Sequence, residues 1–591
     1  MSSMPNRKSF YLNILITLRR PRFMIVVGLI AGLLGGLAAV LLKNTVWLTH
    51  YMLTYWFNSS SENYLYLAYP FIGIVLTIVF VRFVVKDDIS HGISRILYAM
   101  SRNKSKLATH HTYSSLIAST LTVGFGGSVG LEAPIVLTGS SIGSNLGKWL
   151  RLSPQKTKLL IACGSAGAIA GIFKAPIAAV IFALEVLMLD LTMASLVPLL
   201  ISAVTGATVA YFLQGRSVLF NFDLTSSFSM YNIPWYIVLG IFTGFVSLYF
   251  IRASGWIEGK FDKWQKPLLK AMTGGLILGL LIFLFPSLYG EGYDTLRSIL
   301  NSKGTDILHH SFFHSIDSSA WVFMCYLLLI LFFKVTAMSV TLGSGGIGGV
   351  FAPSLFMGGI SGYFVAIVLN TLGIANVPEI NFTLAGMAGI MAGVMHAPLT
   401  AIFLIAEITG GYQFFIPLII TSTLSYFTII YFEPHSLYTK NLAKRGELLT
   451  HHKDKSVLTL MRVSKLIETN FNSIHLEANL GELVKVISLS SRNFFPVLDE
   501  HNVLQGIVVL EDIRQQMFRP ELYETVFVKD IMRPPGEFVE DNEPMEDAVN
   551  KFRTSDSYNL PVQHQGKYVG FISRANVFSA YRKIMKHTSE F

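Results

Sequence analysis

Long apolar segments separated by short polar stretches fill the chain as far as about residue 440. Several of these segments are shorter than the roughly 20 residues that a helix perpendicular to a bilayer needs, and Gly or Pro interrupts many of them. Short, broken apolar segments are typical of helices that stop partway through a membrane or cross it at a steep tilt. We therefore predict an all-α polytopic membrane domain. The apolar segments lie near 24–42, 66–85, 112–123, 157–173, 176–190, 195–213, 234–252, 269–288, 321–342, 353–374, 382–395, 397–409 and 413–432.

A different pattern begins beyond Lys440, where alternating strands and amphipathic helices replace the long apolar segments. Two predicted strands carry a Pro-Val pair, at Pro496 and Pro561, and these pairs are 65 residues apart. A period of this size indicates two copies of one α/β unit. We predict a membrane domain at 24–440, a linker at 441–456, and two α/β copies at 457–518 and 526–586.

Two glycine-rich stretches interrupt the apolar part of the chain and match each other. They are Gly124–Pro134 (GFGGSVGLEAP) and Gly343–Pro353 (GSGGIGGVFAP), which lie 219 residues apart. Irregular backbone survives at membrane depth only where it lines a cavity or is buried in protein. Each stretch also leads into an apolar helix, whose N-terminus offers unpaired N–H groups and a partial positive charge to an anion. The pattern predicts two half-sites of one anion pathway, with Glu132 as its only charged lining group.

A second pair of matching segments adds to the evidence for an internal repeat. Ala166–Glu185 aligns without gaps with Ala388–Glu407, and both keep an AGxxAG motif, an Ala-Pro step and a final Glu. Small-residue motifs alone could serve only to pack helices together. Two matched sets in the same order are instead typical of an inverted-repeat transporter, with halves at about 24–213 and 234–432. The matched places of the two Glu residues predict hydrogen bonds that hold the fold.

Composition and charge narrow the class further. Hydrophobic residues make up 52% of the chain and the mean hydropathy is +0.52, as is typical of membrane proteins. Residues 1–440 hold 27 Lys and Arg against 16 Asp and Glu, whereas the rest of the chain holds 19 against 20. The net charge of +10 therefore belongs to the membrane part and gives no reason to expect nucleic-acid binding. The first 23 residues are basic with no acid, so the positive-inside rule predicts a cytosolic N-terminus, and no small-residue cleavage site favours a signal peptide.

The sequence carries little that points to an enzyme. It contains no HExxH motif, and its apolar segments hold no pair of acids at a matching spacing. Its two cysteines, Cys163 and Cys325, lie in separate apolar runs and predict neither a disulfide framework nor a metal site. We predict that the protein has no enzymatic activity.

The membrane part resembles the CLC family of chloride channels and proton-coupled chloride exchangers. The resemblance rests on Gly349–Pro353 (GVFAP), which matches the family's GxFxP motif, on Gly130–Pro134 (GLEAP), and on Ser436-Leu437-Tyr438. The part beyond Lys440 resembles a tandem pair of CBS modules. This resemblance implies a homodimer with one chloride pathway per subunit, which lies in the cell (inner) membrane and keeps its CBS domains in the cytosol.

The same resemblance implies roles for individual residues. Glu132 would be the gating glutamate, whose carboxylate occupies the anion pathway when ionised and swings out when protonated. The backbone N–H groups of Val350 and Phe351 would bind the central anion, with the Tyr438 hydroxyl donating from the far side. Donors of partial charge suit a permeant ion, because a full positive charge would hold it too tightly. Tyr438 could instead be an aromatic residue of the membrane interface.

Three positions depart from the family's patterns. His91, which precedes Gly92 and Ile93, replaces the serine of an anion-binding loop; it could donate a hydrogen bond, carry a charge or turn away. Leu131 replaces a basic residue, which weakens the field at the pore entrance. Val186 stands where exchangers commonly carry a second, proton-relaying glutamate. Because a valine cannot pass protons, this position favours passive conduction, although some exchangers of the family also lack the acid.

The CBS pair departs from the family's nucleotide-binding pattern. Asp512 keeps the acid of that pattern in the first copy, but Val509 replaces the hydroxyl residue. Ser573 keeps the hydroxyl in the second copy, but Asn576 replaces the acid. An adenine nucleotide is therefore a doubtful ligand, and a dimerisation or gating platform without a ligand fits better. No other cofactor is predicted.

The favoured function is chloride transport through a pathway gated by Glu132, with passive, voltage- or pH-gated conduction ahead of proton-coupled exchange. A fluoride exporter of the same fold fits less well, given the GVFAP stretch and Tyr438. A CBS-bearing divalent-cation transporter would need acidic pore linings, and a lone Glu132 among glycine-rich helix starts argues against one.

Overall fold

A computed structural model describes most of the chain, which divides into two compact units, Met1–Leu448 and Leu449–Phe591. The basic segment 1–23, apart from its last three residues, lies outside the described part, as do His91 and most of the predicted linker 441–456. The described residues are 21–54, 64–89, 92–101, 105–189, 192–215, 220, 228–309, 319–410, 412–444, 458 and 461–589.

The first unit is helical throughout its described ranges, as predicted. Nine of its described helices are long and apolar enough to cross a membrane, and three further apolar helices are shorter. The helices are α1 (Pro21–Thr54), α2 (Leu65–Val79), α3 (Gly92–Ser101), α4 (His111–Gly124), α5 (Glu132–Trp149), α6 (Pro154–Phe173), α7 (Pro176–Glu185), α8 (Met193–Gln214), α9 (Ile233–Asp262), α10 (Pro267–Leu284), α11 (Tyr293–Leu300), α12 (Asp306–His309), α13 (Ala320–Gly343), α14 (Phe351–Thr371), α15 (Glu379–Met395), α16 (Pro398–Ile408), α17 (Phe415–Phe432) and α18 (Lys440–Lys444).

Equivalent residues of the two halves make equivalent contacts with each other. The N–H of Ser128 donates to the Thr341 hydroxyl at 3.3 Å, and the N–H of Ile347 donates to the Thr122 hydroxyl at 3.0 Å. At the offset of 219 residues, Ser128 is equivalent to Ile347 and Thr122 to Thr341. The donor therefore lies in the first half in one bond and in the second half in the other. Such reciprocity requires an approximate two-fold axis between the halves, which is the internal repeat that the sequence predicts.

The two Glu residues that end the second matching segments cap each other's helices. The Glu407 carboxylate accepts from the N–H groups of Ile177 and Ala178 at 3.0 and 2.8 Å, at the start of α7. The Glu185 carboxylate accepts from the N–H groups of Leu399 and Thr400 at 3.2 and 2.8 Å, at the start of α16. Each carboxylate satisfies two orphan donors of the other helix, and the last turn of each helix meets the first turn of the other. The helices are therefore antiparallel, as equivalent helices of an inverted repeat must be, and the predicted hydrogen bonds are confirmed.

Replacing Glu407 with Gln is expected to destabilise this contact between the halves. An amide keeps one oxygen and loses the charge, so one N–H at the start of α7 loses its acceptor, at a cost of about 1–3 kcal/mol. Thermal unfolding of the purified protein in detergent measures the effect as a lower Tm. Glu500→Gln, which changes an exposed acid of the second unit, is the control. An unchanged Tm for Glu407→Gln would contradict a stabilising role.

The second unit consists of two copies of one α/β unit, each with a three-stranded sheet. In both sheets the first pair of strands is parallel and the second antiparallel, in the orders β1-β2-β3 and β4-β5-β6. The short strands β1 and β4 were not predicted, because two residues each are too few to show an alternating pattern. The elements are β1 (Ile474–His475), α19 (Leu480–Ser488), β2 (Phe494–Leu498), β3 (Leu504–Val509), α20 (Leu510–Ile513), α21 (Val528–Ile531), β4 (Val539–Glu540), α22 (Met545–Thr554), β5 (Asn559–His564), β6 (Lys567–Ser573) and α23 (Arg574–Ser589).

The two copies exchange backbone contacts. The segment before β1 pairs with β6 through Glu468 and Phe571, and the segment before β4 pairs with β3 through Arg533 and Ile507. Each sheet buries its own apolar core, with Val497 and Val562 fully enclosed. The exchange joins the copies into one unit, as a tandem repeat predicts.

Candidate anion pathway

The two glycine-rich stretches meet at a pair of backbone hydrogen bonds. The N–H of Gly130 donates to the Gly349 carbonyl at 2.8 Å, and the N–H of Gly349 donates to the Gly130 carbonyl at 2.7 Å. Gly126 and Gly345, which occupy matching places, adopt φ values of +96° and +104°, in a region that favours glycine. The contact brings the N-termini of α5 and α14 together at one point of the membrane unit.

Glu132 is the first residue of α5 and its side chain turns into this junction. The residue is 3% exposed, and the Tyr293 hydroxyl donates to its Oε1 at 3.0 Å. Oε2 is buried and accepts no hydrogen bond of normal geometry among the described residues. It lies so close to Gly130 that a Cβ on that residue would be 2.0 Å away, and a Cβ on Gly349 would be 3.4 Å away. The backbone N–H groups of Glu132 and Ala352 also neighbour the carboxylate, so a negative group already occupies the space between two helix N-termini.

A cavity of about 290 Å³ lies on one side of this junction. Four residues that the sequence predicts for anion binding line it together: Gly92, Ile93, Val350 and Tyr438. Gly349 and Ala133 also line it, whereas Glu132 and Phe351 do not. The Phe351 ring instead stacks on Phe173, with a distance of 5.0 Å between ring centroids. The cavity therefore reaches Ala133 and Gly349 beside Glu132, but the Glu132 side chain does not line it.

Tyr438 presents an unused donor to the cavity. The residue is 7% exposed, and its hydroxyl oxygen is buried without a hydrogen-bond partner among the described residues. Its carbonyl accepts from the Ser94 hydroxyl at 2.7 Å, which anchors the Tyr438 backbone to the start of α3. This burial sets aside the alternative of an interfacial aromatic residue and leaves a hydroxyl free to bind an anion.

The prediction that Glu132 is the only charged group of the pathway is wrong. Glu258, Asp262 and Lys440 also line the cavity. The sequence pattern ends the apolar segment at 252, but α9 continues to Asp262 and carries both acids on its last two turns. The acids of these turns line the cavity, so hydrophobicity alone misses them.

Two further charged residues near the junction, Lys334 and Glu291, do not line the cavity. The Lys334 ammonium is fully buried; it donates to the Ser128 hydroxyl at 2.9 Å and to the Gly290 carbonyl at 3.1 Å. Glu291, which is partly exposed, is near enough to act electrostatically on both Glu132 and Lys334. Lys334 lies inside the apolar run 321–342. Charges inside such runs are rare and paired, so this lysine was a visible signal of function that the prediction from sequence did not use. Lys334 contacts Ser128 of the first glycine-rich stretch, the stretch in which Leu131 stands.

The family models decide the identity of the chain. A model described as voltage gated chloride channel matches residues 72–429, which is more than half of the chain, and a CBS domain model matches residues 528–583. The chain belongs to the CLC family. It carries its CBS pair at the C-terminal end.

Curated relatives agree with this membership. A ClcB-like protein of Ralstonia nicotianae is 30% identical over 366 residues, which cover 60% of this chain and 80% of the relative. The voltage-gated ClC-type chloride channel ClcB of Escherichia coli is 30% identical over 335 residues, which cover 56% of this chain and 75% of the relative.

Solved structures share the fold. The crystal structure of a slow cyanobacterial Cl⁻/H⁺ antiporter matches with a TM-score of 0.61 at 23% identity, over 71% of this chain and 97% of its own. A CLC-type fluoride/proton antiporter matches with a TM-score of 0.58 at 21% identity, over 70% and 96%. A eukaryotic CLC transporter matches with a TM-score of 0.59 at 18% identity, over 94% and 97%.

Val186, which the family resemblance predicts to stand at the place of the exchangers' proton-relaying glutamate, does not line the cavity. It caps the C-terminal end of α7, is 5% exposed and packs in the apolar core. A proton that crosses this CLC protein must therefore use other groups.

The candidate nucleotide residues of the CBS pair are already engaged by the protein. Asp512 pairs with the Arg533 guanidinium and thereby raises the pKa of that group. The Ser573 hydroxyl donates to the Glu468 carboxylate at 2.6 Å, and the Asn576 amide donates to the Leu466 carbonyl at 3.2 Å. A nucleotide would have to displace these contacts.

Asp87, His110 and His111 form a group that resembles a metal site in the membrane unit. His110 Nε2 lies 3.0 Å from the Asp87 carboxylate. The Arg95 guanidinium, however, lies 3.7 Å from that carboxylate and 3.4 Å from His111 Nε2. A permanent positive charge in the middle of the group opposes a metal cation, so these residues form an ion-pair network.

Proposed function

We propose that this CLC protein exchanges chloride for protons across the membrane, with Glu132 as the gate. The proposal rests on the position of the Glu132 carboxylate, which lies in the gap between the N-termini of α5 and α14, next to residues that line the cavity. A carboxylate that binds where an anion would bind competes with chloride when it is ionised. When it is protonated it loses its attraction to the helix N-termini and can leave the gap.

Each step of the exchange then follows from this competition. Chloride in the cavity would be held by donors of partial charge, the Val350 and Phe351 N–H groups and the Tyr438 hydroxyl, which allow it to leave again. Chloride passes through the gap while a protonated Glu132 is swung out, and Glu132 then releases its proton on the side from which the chloride came before the carboxylate returns. Protons and chloride thereby move in opposite directions.

A voltage- or pH-gated channel is the second candidate, and Val186 favours it, since the residue offers no proton relay from α7. Two acids, Glu258 and Asp262, line the cavity. The lack of an acid at position 186 is therefore a weaker argument against proton exchange. Fluoride export is supported only by the shared fold. The homodimer, the cytosolic position of both ends of the chain and the inner-membrane location stay predictions of the family resemblance.

Flux from vesicles that contain the purified protein tests the proposal. Chloride efflux is expected to drive proton uptake, even against a proton gradient, because one pathway binds both. A chloride electrode and a pH electrode record the two movements at once, and protein-free vesicles with the same gradients are the control. Chloride efflux without proton movement would contradict exchange and favour the channel. A repeat with fluoride in place of chloride tests selectivity.

A further inference from the structure

Glu258 is the feature of the cavity that the proposed mechanism leaves unused. It lies on α9, one turn before Asp262, and both residues line the cavity together with Tyr438 and Val350. The cavity also includes Leu437 and Lys440, which lead into the second unit. Glu258 is partly exposed. It is therefore an acid that water can reach, in the same cavity as the residues expected to bind chloride.

Asp262, the other acid that lines the cavity, and Glu433, which pairs with the cavity-lining Lys440, both have cationic partners. Asp262 lies 3.7 Å from the Lys270 ammonium of α10. Glu433 accepts from Lys440 at 2.8 Å and from Arg252 at 3.2 Å. Within the described part of the chain, no ion pair or hydrogen bond engages the Glu258 carboxylate. A carboxylate that a cation holds stays ionised, whereas an unpaired one can gain and lose a proton as part of a transport cycle.

We propose that Glu258 is the acid that passes protons between Glu132 and the solution on the cavity side, in place of the glutamate that is absent at position 186. This assignment rests on the proposed exchange of chloride for protons. A cavity of about 290 Å³ has room for several water molecules, each of which takes about 30 Å³ of liquid volume. Water between Glu258 and the gate can carry the proton the rest of the way.

The proton balance of this step is simple. Glu258 takes one proton from water on the cavity side and gives it, through water in the cavity, to the ionised Glu132 carboxylate. Glu258 is then ionised again, and the neutral Glu132 leaves the gap. The charged groups that act on Glu258 are Asp262 on its own helix and Lys270 on α10. Tyr438 and Lys440, which is the first residue of α18, line the same cavity. Lys270 limits the cost of the ionised state of Glu258.

Glu258→Gln in the full-length protein tests the proposal. The amide cannot exchange a proton, so proton uptake driven by chloride efflux is expected to fall about tenfold or more, while chloride transport continues. Asp262→Asn is the matched control, since it removes one acid from the same helix and cavity. It is expected to keep the wild-type ratio of protons to chloride.

Each outcome bears on one of the two proposals. A wild-type protein that moves chloride without protons would defeat the exchange proposal, and this assignment with it. A coupled wild type with an equally coupled Glu258→Gln would overturn the assignment alone. Loss of coupling in Asp262→Asn but not in Glu258→Gln would transfer the role to Asp262. Loss of chloride transport in a Glu258→Gln variant that elutes like the wild type would also overturn it.

A second variant keeps the test valid if Glu258→Gln does not fold. Histidine can also take up and release a proton near neutral pH, so Glu258→His should retain proton coupling. Chloride transport without proton movement in a folded Glu258→His variant would overturn the assignment.

Discussion

Replacing Glu132 with Gln is expected to abolish proton movement and to leave a chloride flux that no longer depends on pH. The amide has nearly the shape of a protonated carboxyl group, but it carries no charge with which to compete for the helix N-termini. Chloride should therefore pass at all pH values. In the wild type the gate is closed while Glu132 is ionised, so chloride flux should rise as the pH falls. Chloride and pH electrodes on vesicles measure both effects across a pH series.

Tyr293→Phe is the control for this experiment. It removes the hydroxyl that donates to Glu132 Oε1 at 3.0 Å but leaves the ionisable carboxyl group in place. Proton coupling should persist, because the carboxylate still exchanges a proton. A Glu132→Gln variant that continues to move protons would mean that another group carries them past the junction, and the gate would have to be assigned elsewhere.

The internal repeat is the part of the fold that the sequence predicts best. Two matched pairs of segments were enough to predict two halves, and the reciprocal bonds of Thr122 and Thr341 agree with that prediction. Glycine and proline mark these segments because they are needed wherever helices break or approach closely. Such constraints act locally, so they leave a local trace in the sequence.

The charged residues of the site were harder to predict because their contacts are distant in sequence. Tyr293 reaches Glu132 across 161 residues, and Lys334 reaches Ser128 across 206. Glu258 lies beyond the apolar part of its helix. In the sequence, an acid at such a position cannot be distinguished from one that is solvated at the membrane surface. Only the folded backbone distinguishes a cavity-lining acid from a solvated one.

Function depends on the places where the repeat is not symmetric. Glu132 starts α5 and Phe351 starts α14 at the equivalent position, so the two helix N-termini share one carboxylate rather than two. Two carboxylates at one site would repel each other and resist ionising together. In the proposed exchange, a single carboxylate leaves the N-terminus of α14 available to a chloride ion.

Gly130→Ala is expected to hold the gate partly open. A Cβ at this position would lie 2.0 Å from Glu132 Oε2, 2.9 Å from its Cδ and 3.0 Å from the Ala352 Cβ. The closest atoms belong to the end of a side chain that can move, so the carboxylate should leave the gap while the backbone stays in place. Overpacking costs about 1–3 kcal/mol, and 1.4 kcal/mol is about a factor of ten in an equilibrium. Chloride flux at neutral pH should therefore rise about tenfold, with a weaker dependence on pH.

Gly349→Ala is the matched variant on the other side of the junction, and its effect should differ in kind. A Cβ on Gly349 would lie 2.9 Å from the Ala133 backbone nitrogen and 3.1 Å from the Ala133 Cβ, but 3.4 Å from Glu132 Oε2. The overlap falls on backbone that cannot move aside, so this variant should lower the Tm without opening the gate. The pair of variants separates displacement of the gate from disturbance of the junction. If both raise chloride flux equally at neutral pH, the position of the Glu132 carboxylate does not control the pathway, because the same disturbance of the junction would open it from either side.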